Sequence, residues 1–256
     1  MPRPQIFSIE GNIGSGKTTI IENLQRAYAN NPDVVFIREP VDIWMSIHDS
    51  AGETILAKFY HDQAKYAFNF QIMAYWSRLS LIRQAVRNNP TCKTIICERS
   101  LDADKHIFAK MLFDDGKMDE VSYKIYTGFH GEFRDEFALG GVVYIDADPE
   151  VCMQRISKRA RTGEETVPLQ YLEKCRDYHE QWLNADDVGL PVLKIETNEN
   201  VTYDTTRPSD KGLVWMAQIV QFISSCRRAE LTPVSSEENI FNRVLEPFEE
   251  FFNPNL

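Results

Sequence analysis

Apolar positions along the chain fall into two alternating kinds of run. Short blocks rich in aliphatic and β-branched residues, "QIFSIE" (5–10), "VVFIRE" (34–39), "KTIICE" (93–98), "GVVYID" (141–146) and "PVLKIE" (191–196), read as buried strands. Long amphipathic stretches separate them and read as helices, which is the pattern of an α/β domain built on a parallel sheet of five strands. The insert between the second and third strands is unusually long, with helical periodicity from about Ala51 to Arg87. Such an insert can wall off a pocket above the sheet. Several strand blocks end in an acid, and open parallel sheets bind ligands beyond the carboxyl ends of their strands, so Glu10, Glu39, Glu98 and Asp146 become candidates together.

The 256 residues suffice for one large core, and 43% apolar composition is that of an ordinary globular protein. With 28 basic and 38 acidic residues the formal charge is −10, which argues against a nucleic-acid polymer as partner and for phosphate contacts that are local. Five cysteines, Cys92, Cys97, Cys152, Cys175 and Cys226, make no CxxC pair and no metal-ligand spacing, so a reducing interior is expected. No apolar run reaches the roughly 18 residues of a membrane span, and the first strand block opens at Gln5, so no leader and a cytoplasmic location are expected.

The first strand runs into "GNIGSGKTT", in which Gly11, Gly16, Lys17 and Thr18 satisfy G-x-x-x-x-G-K-[ST] between a strand and a helix. Glycines let the backbone curl until successive N–H groups point inward, and the helix start adds its positive end to the same anion. Residues 11–19 (Gly11, Asn12, Ile13, Gly14, Ser15, Gly16, Lys17, Thr18 and Thr19) are the expected phosphate cradle, with Lys17 on the β/γ-phosphates and Thr18 on Mg²⁺. A cradle alone fixes only a nucleoside triphosphate. The base-reading N-K-x-D of GTPases is absent, which favours a kinase.

Further on stand "REPVDIW" (38–44), "FQIMAYWSR" (70–78), "CERSLDADKHIFA" (97–109) and "RISKRARTGEETVPLQYL" (155–172). With the cradle, these motifs resemble the deoxyribonucleoside kinase family, particularly its deoxycytidine and deoxyguanosine kinase branch, from about residue 5 to 225 in the right order and nearly ungapped. The resemblance implies a P-loop kinase fold over residues 1–226 with a helical lid at about 155–166, transfer of a γ-phosphate from ATP or another nucleoside triphosphate to a deoxynucleoside 5′-hydroxyl in salvage, and a homodimer. Residues 227–256, an acidic extension with clustered phenylalanines, lie beyond what the family explains.

The residue types suit that chemistry. A sugar hydroxyl needs a carboxylate within reach, and Glu39 at a strand end beside the cradle can be the base. Arg99 can hold Glu39 and the 5′-oxygen in line, and Glu98 can bind Mg²⁺ with Thr18. Arg155 and Arg159, four apart on one helix face, and Arg161 beyond them suit a lid over the γ-phosphate. The resemblance assigns the sugar 3′-hydroxyl to Glu164, with Glu165 adjacent, and Tyr60; it places Trp44, Leu56 and Phe59 on the acceptor side and "NENV" (Asn198, Glu199, Asn200, Val201) over the donor base. Gln71 and Arg78, seven apart, share a helix face among Phe70, Met73 and Trp76, and Asp104 and Phe108 share the next. Aligned with the family, Gln71, Arg78 and Asp104 read the base while Phe70 and Phe108 sandwich it. An arginine fork beside a carboxylate suits an exocyclic amino group, hence deoxycytidine or a purine rather than thymidine. Two competitors remain: a thymidylate-like nucleoside monophosphate kinase, and a non-catalytic nucleotide-binding subunit on the same fold.

Overall fold

A computed structural model describes residues 3–159, 167–185, 189–207 and 209–230. All five strand blocks form one parallel sheet: β1 (Gln5–Gly11), β2 (Val34–Ile37), β3 (Thr94–Glu98), β4 (Leu139–Asp146) and β5 (Val192–Glu196), in the order β2-β3-β1-β4-β5. The central strand β1 is flanked by β3 and β4, so the chain departs to opposite sides of it and leaves a crevice at its carboxyl end. β1, β3 and β4 are buried on both faces, whereas β2 and β5 are half-exposed edges; burial in "PVLKIE" is confined to Ile195.

One face carries α1 (Lys17–Ala27) and α10 (Lys211–Glu230), whose Ile20, Leu24, Trp215 and Ile219 close over Phe7, Ile9 and Val143. Burying each such side chain stabilises the fold by about 1.5–3 kcal/mol relative to exposure. α10 runs on to Glu230, four residues past the Cys226 boundary read from composition. The other face carries α2 (Val41–Ser46), α3 (Ile55–His61), α4 (Gln63–Asn88) and α7 (Glu120–Phe133). α8 (Pro149–Arg159) and α9 (Leu169–Leu183) close the carboxyl end beside the cradle.

Two local departures from simple periodicity shape the crevice. The expected continuous helix breaks at Asp62, whose non-helical backbone and side-chain cap on the Lys65 N–H start α4 afresh. After β3, the short α5 (Leu101–Ala103) passes into a π-helical turn over Asp104–Ala109 before α6 (Lys110–Asp114). Wider π spacing is a frequent companion of functional sites, and it sets Asp104 and Phe108 against one cavity.

Candidate active site

At the carboxyl ends of β1 and β3, a cavity of about 600 Å³ runs from the cradle to the α3/α4 wall. Gly11 leaves β1 at φ 146°, where an added Cβ would collide with the Ile145 carbonyl, and Gly16 starts α1 at φ 101°. These positions need glycine for the backbone to turn beneath a phosphate. Lys17 donates to the carbonyls of Gly11 (3.1 Å) and Asn12 (2.7 Å). Burial first, and then Arg99, push its ammonium down to about 8. Thr18 Oγ1 lies 2.5 Å from Glu98 Oε1, joining the cradle to the end of β3.

The four acidic strand ends part company. Glu39 borders the cavity, where its Oε1 accepts from Arg99 Nε at 3.0 Å and stands 3.7 Å from Arg78 Nη2. Arg99 adopts φ 65°, rare for a side-chain-bearing residue, and spends Nη1 on the Gly11 carbonyl at 2.9 Å, with its guanidinium 4.8 Å over the Phe108 ring. One arginine therefore ties the candidate base to the start of the cradle. Glu98 lines the cavity with Thr18. Asp146 instead pairs with Arg176 (3.2 Å) and Lys194 (3.0 Å), and Glu10 is wholly buried beneath the floor; neither lines the cavity. Salt bridging and burial thus remove two acids that strand position alone made equal to the others.

On the acceptor side, Trp44, Leu56, Phe59, Tyr60, Phe70, Gln71, Arg78, Asp104 and Phe108 all line the same cavity. Arg78 Nε and Nη2 fork onto Asp104 Oδ2 (2.9 Å) and Oδ1 (3.3 Å), and Nη1 donates to the Glu98 carbonyl at 2.7 Å. Burial pushes the Asp104 carboxyl up from the ordinary range while the arginine fork opposes it. Gln71 is 2% exposed, and its Oε1 has no partner among the described residues. A buried carboxamide oxygen without a donor is costly unless a ligand supplies one. Phe70 stacks on Phe59 at 4.5 Å and meets Trp44 edge-on, which fixes its plane. Trp76, expected beside Gln71, instead points to solvent at 50% exposure, because the α4 face it occupies is the one turned away from the sheet.

On the donor side, Ile13, Gly14, Ser15, Gly16, Thr19, Arg155, Arg159, Glu199, Asn200 and Val201 line the cavity. Arg155 donates to the carbonyls of Ser15 (3.1 Å), Thr197 (2.7 Å) and Glu199 (2.9 Å), binding the cradle to the loop after β5. Asn198 turns away; its Oδ1 accepts from the Asp148 N–H at 2.7 Å and it does not line the cavity. Arg161 and Glu164 lie outside the described residues, as does most of the expected lid. Reading the sequence missed the aromatic residues Tyr171, Tyr203 and Trp215 on the lining, and Ile20, Arg38, Ala74 and Thr197 beside them. Of these, Tyr203 follows "NENV" by two residues, a signal that the loop continues along the cavity wall.

A model of the family described as deoxynucleoside kinase matches residues 7–223. The chain belongs to the deoxynucleoside kinase family. This kinase is 35% identical over 224 residues to a probable deoxycytidine kinase of Fowlpox virus (strain NVSL), covering 85% of this chain and 88% of that protein. It is 32% identical to the mitochondrial deoxyguanosine kinase of Xenopus laevis (76% and 82% covered) and 32% identical to the mitochondrial thymidine kinase 2 of Homo sapiens (78% and 73% covered). The kinase is accordingly an ATP-dependent phosphotransferase of nucleoside salvage on the expected α/β fold. Among its described residues no helix is long and apolar enough to cross a membrane.

Proposed function

We propose that this kinase phosphorylates the 5′-hydroxyl of deoxycytidine and purine deoxynucleosides in preference to thymidine. The observation that carries the reading is the buried Arg78–Asp104 fork on the cavity wall. Gln71 alone does not discriminate, since a carboxamide can rotate to match either cytosine or thymine. A carboxylate beside it accepts from the exocyclic amino group of cytosine, where thymine presents a carbonyl oxygen instead, and the thymine methyl next to it would meet two charged side chains. A panel of the four deoxynucleosides with ATP tests the reading; thymidine as the best acceptor would overturn it.

Within that reading Glu39, held by Arg99, takes the hydroxyl proton as the 5′-oxygen attacks the γ-phosphorus. Lys17 and the cradle N–H groups hold the β- and γ-phosphates, and Arg155 and Arg159 stand at the donor side to balance charge in the transition state. A monophosphate acceptor would need uncommitted cations near Glu39. Arg78 and Arg99 are engaged with carboxylates, and Arg38 pairs with Glu22 at 2.9 Å, so a neutral hydroxyl is favoured.

Thr18 and Glu98 fit Mg²⁺: a hydroxyl and one carboxylate face each other at the cradle, and no group of three ligating His, Cys, Asp or Glu exists among the described residues. Mg²⁺ binds in this way through one or two carboxylates, waters and the phosphates, whose charge it neutralises. The reading extends to a homodimer, supported by Trp76 on α4 and Val121 and Ile125 on α7, which are 50%, 68% and 55% exposed on helices that pack together through Tyr75 and Tyr126. A cytoplasmic setting is supported by five cysteines that form no disulfide.

A further inference from the structure

The opposite end of the sheet carries a second groove, of about 420 Å³, far from the cradle. Its floor is apolar, from Ile6 at the start of β1, Val86 on the last turns of α4 and Phe137 just before β4. Its rim is basic on a protein whose net charge is −10: Arg3, Arg83 and Arg87 surround a single acid, Glu136. Arg83 pairs with Glu136 Oε2 at 2.7 Å and lies 4.7 Å from the Phe133 ring, and Arg3 donates to the Glu136 carbonyl at 3.1 Å. Arg87 is exposed and has no ion-pair partner among the described residues. Val86 and Arg87 follow Arg83 by three and four positions, so α4 offers one continuous face with apolar and cationic parts.

α10 delivers the rest of the chain to this end of the molecule. Trp215, near its start, lines the active-site cavity, whereas Phe222 packs against Phe7 and Gly141 near the beginnings of β1 and β4. Arg227, one residue past Cys226, acts electrostatically on Tyr28 at the far end of α1. Residues 231–256 therefore set out from the edge of the sheet where the groove lies. The chemistry of that segment is the complement of the groove: residues 237–256 hold Glu237, Glu238, Glu246, Glu249 and Glu250 against one Arg243, with Phe248, Phe251 and Phe252 among the acids. Residues 231–240 can span about 33 Å when extended, more than two helix diameters of roughly 10–12 Å, enough to pass under the sheet from the α10 face to the α4 face.

We propose that the acidic, phenylalanine-rich segment 237–256 docks on its own kinase domain in the groove between Arg3, Arg87 and Phe137. Its phenyl rings cover the Val86 and Phe137 floor while Glu249 and Glu250 meet Arg3 and Arg87. A tethered segment sees an effective concentration in the millimolar range, so an intrinsic affinity of only about 0.1 mM protects the groove roughly tenfold.

Hydrogen exchange on the full chain tests this. In a variant carrying Phe248→Ser, Phe251→Ser and Phe252→Ser, amides of residues 83–89 and 134–139 should exchange roughly tenfold faster than in the wild type. The change should be repeated by Arg87→Glu and reversed when Arg87→Glu is combined with Glu249→Lys and Glu250→Lys. Deoxynucleoside turnover, measured alongside, should stay at the wild-type rate in the phenylalanine variant and so report an intact domain. Identical exchange in wild type and the phenylalanine variant would overturn the proposal. So would protection that grows with protein concentration, the mark of docking on a second copy.

Discussion

Ser100 Oγ donates to Glu10 Oε1 at 2.6 Å and at the same time accepts the Ala103 N–H at 3.0 Å, so one hydroxyl joins the end of β1 to the turn that follows β3. That turn contains Arg99 in its left-handed conformation, with the guanidinium that holds Glu39. Glu10 is wholly buried, and burial raises its pKa above the ordinary carboxylate value, against the opposing pull of Arg99.

A raised carboxylate pKa makes folding sensitive to alkali. Below the unfolded value Glu10 is protonated in both states and its contribution is complete; as pH rises toward the folded value only the unfolded chain ionises, and stability is lost. Glu10→Gln keeps an oxygen for Ser100 and cannot ionise, so its urea midpoint should gain on the wild type from pH 4.5 to pH 8. Parallel midpoints at both pH values would refute a raised Glu10 pKa. Glu10→Ala should instead release Ser100 and lower turnover by roughly ten- to a hundredfold through misplacement of Arg99.

Glu39 is the sharper catalytic test. Glu39→Gln preserves shape and a hydrogen-bonding oxygen for Arg99 while removing the proposed base, so kcat should fall by about 10²–10⁴-fold with the KM for deoxynucleoside little changed. Near-normal kcat would move the proton transfer elsewhere.

The Arg78–Asp104 fork makes a prediction about stability as well as selectivity. Arg78→Met alone strands a buried carboxylate and the Glu98 carbonyl, and should cost about 3–5 kcal/mol. Adding Asp104→Ala removes the stranded charge, so the double variant should melt above the single one and use thymidine better relative to deoxycytidine. An unchanged thymidine-to-deoxycytidine ratio of kcat/KM would sink the selectivity reading.

How far the sequence carried is visible in these residues. The strand blocks and the cradle were legible because local pattern decides them: β-branched runs between glycine-marked turns, and a motif whose glycines have backbone reasons. The partition of the four acids was not, because Asp146 is neutralised by Arg176 and Lys194 from α9 and β5, and Glu10 by burial, all tertiary facts. Periodicity ran the helix through Asp62, where a side-chain cap wins, and placed Trp76 inward, where a wide apolar stripe hides the true face. The π turn after β3 has no signature in residue spacing.

That outward Trp76 supplies its own test. If α4 and α7 form the homodimer face, Trp76→Glu should raise the dimer dissociation constant by roughly 30-fold or more, as loss of an aromatic anchor does. Sedimentation across a dilution series measures it. An unaltered dissociation constant would move the interface off this face.

Acid should act on a buried histidine. His179 is wholly buried, its Nδ1–H donating to the Cys175 carbonyl and its ring stacked 5.4 Å from Tyr144, and burial pushes its pKa down to about 3. His106, stacked on Trp182 but exposed, is pushed down to about 4 by partial desolvation. A depressed pKa means that the unfolded chain binds the proton first, so this stability is present above the ordinary histidine value of 6.5 and drains away as pH falls below it. Between pH 6.5 and 5 the buried His179 should cost about 1.4 kcal/mol per pH unit, and the exposed His106 less. His179→Gln retains a donor for Cys175 without the proton, so its acid slope in urea unfolding should be lower than that of the wild type by about 1.4 kcal/mol per pH unit. A slope unchanged in that variant would mean that His179 does not carry a proton of acid unfolding.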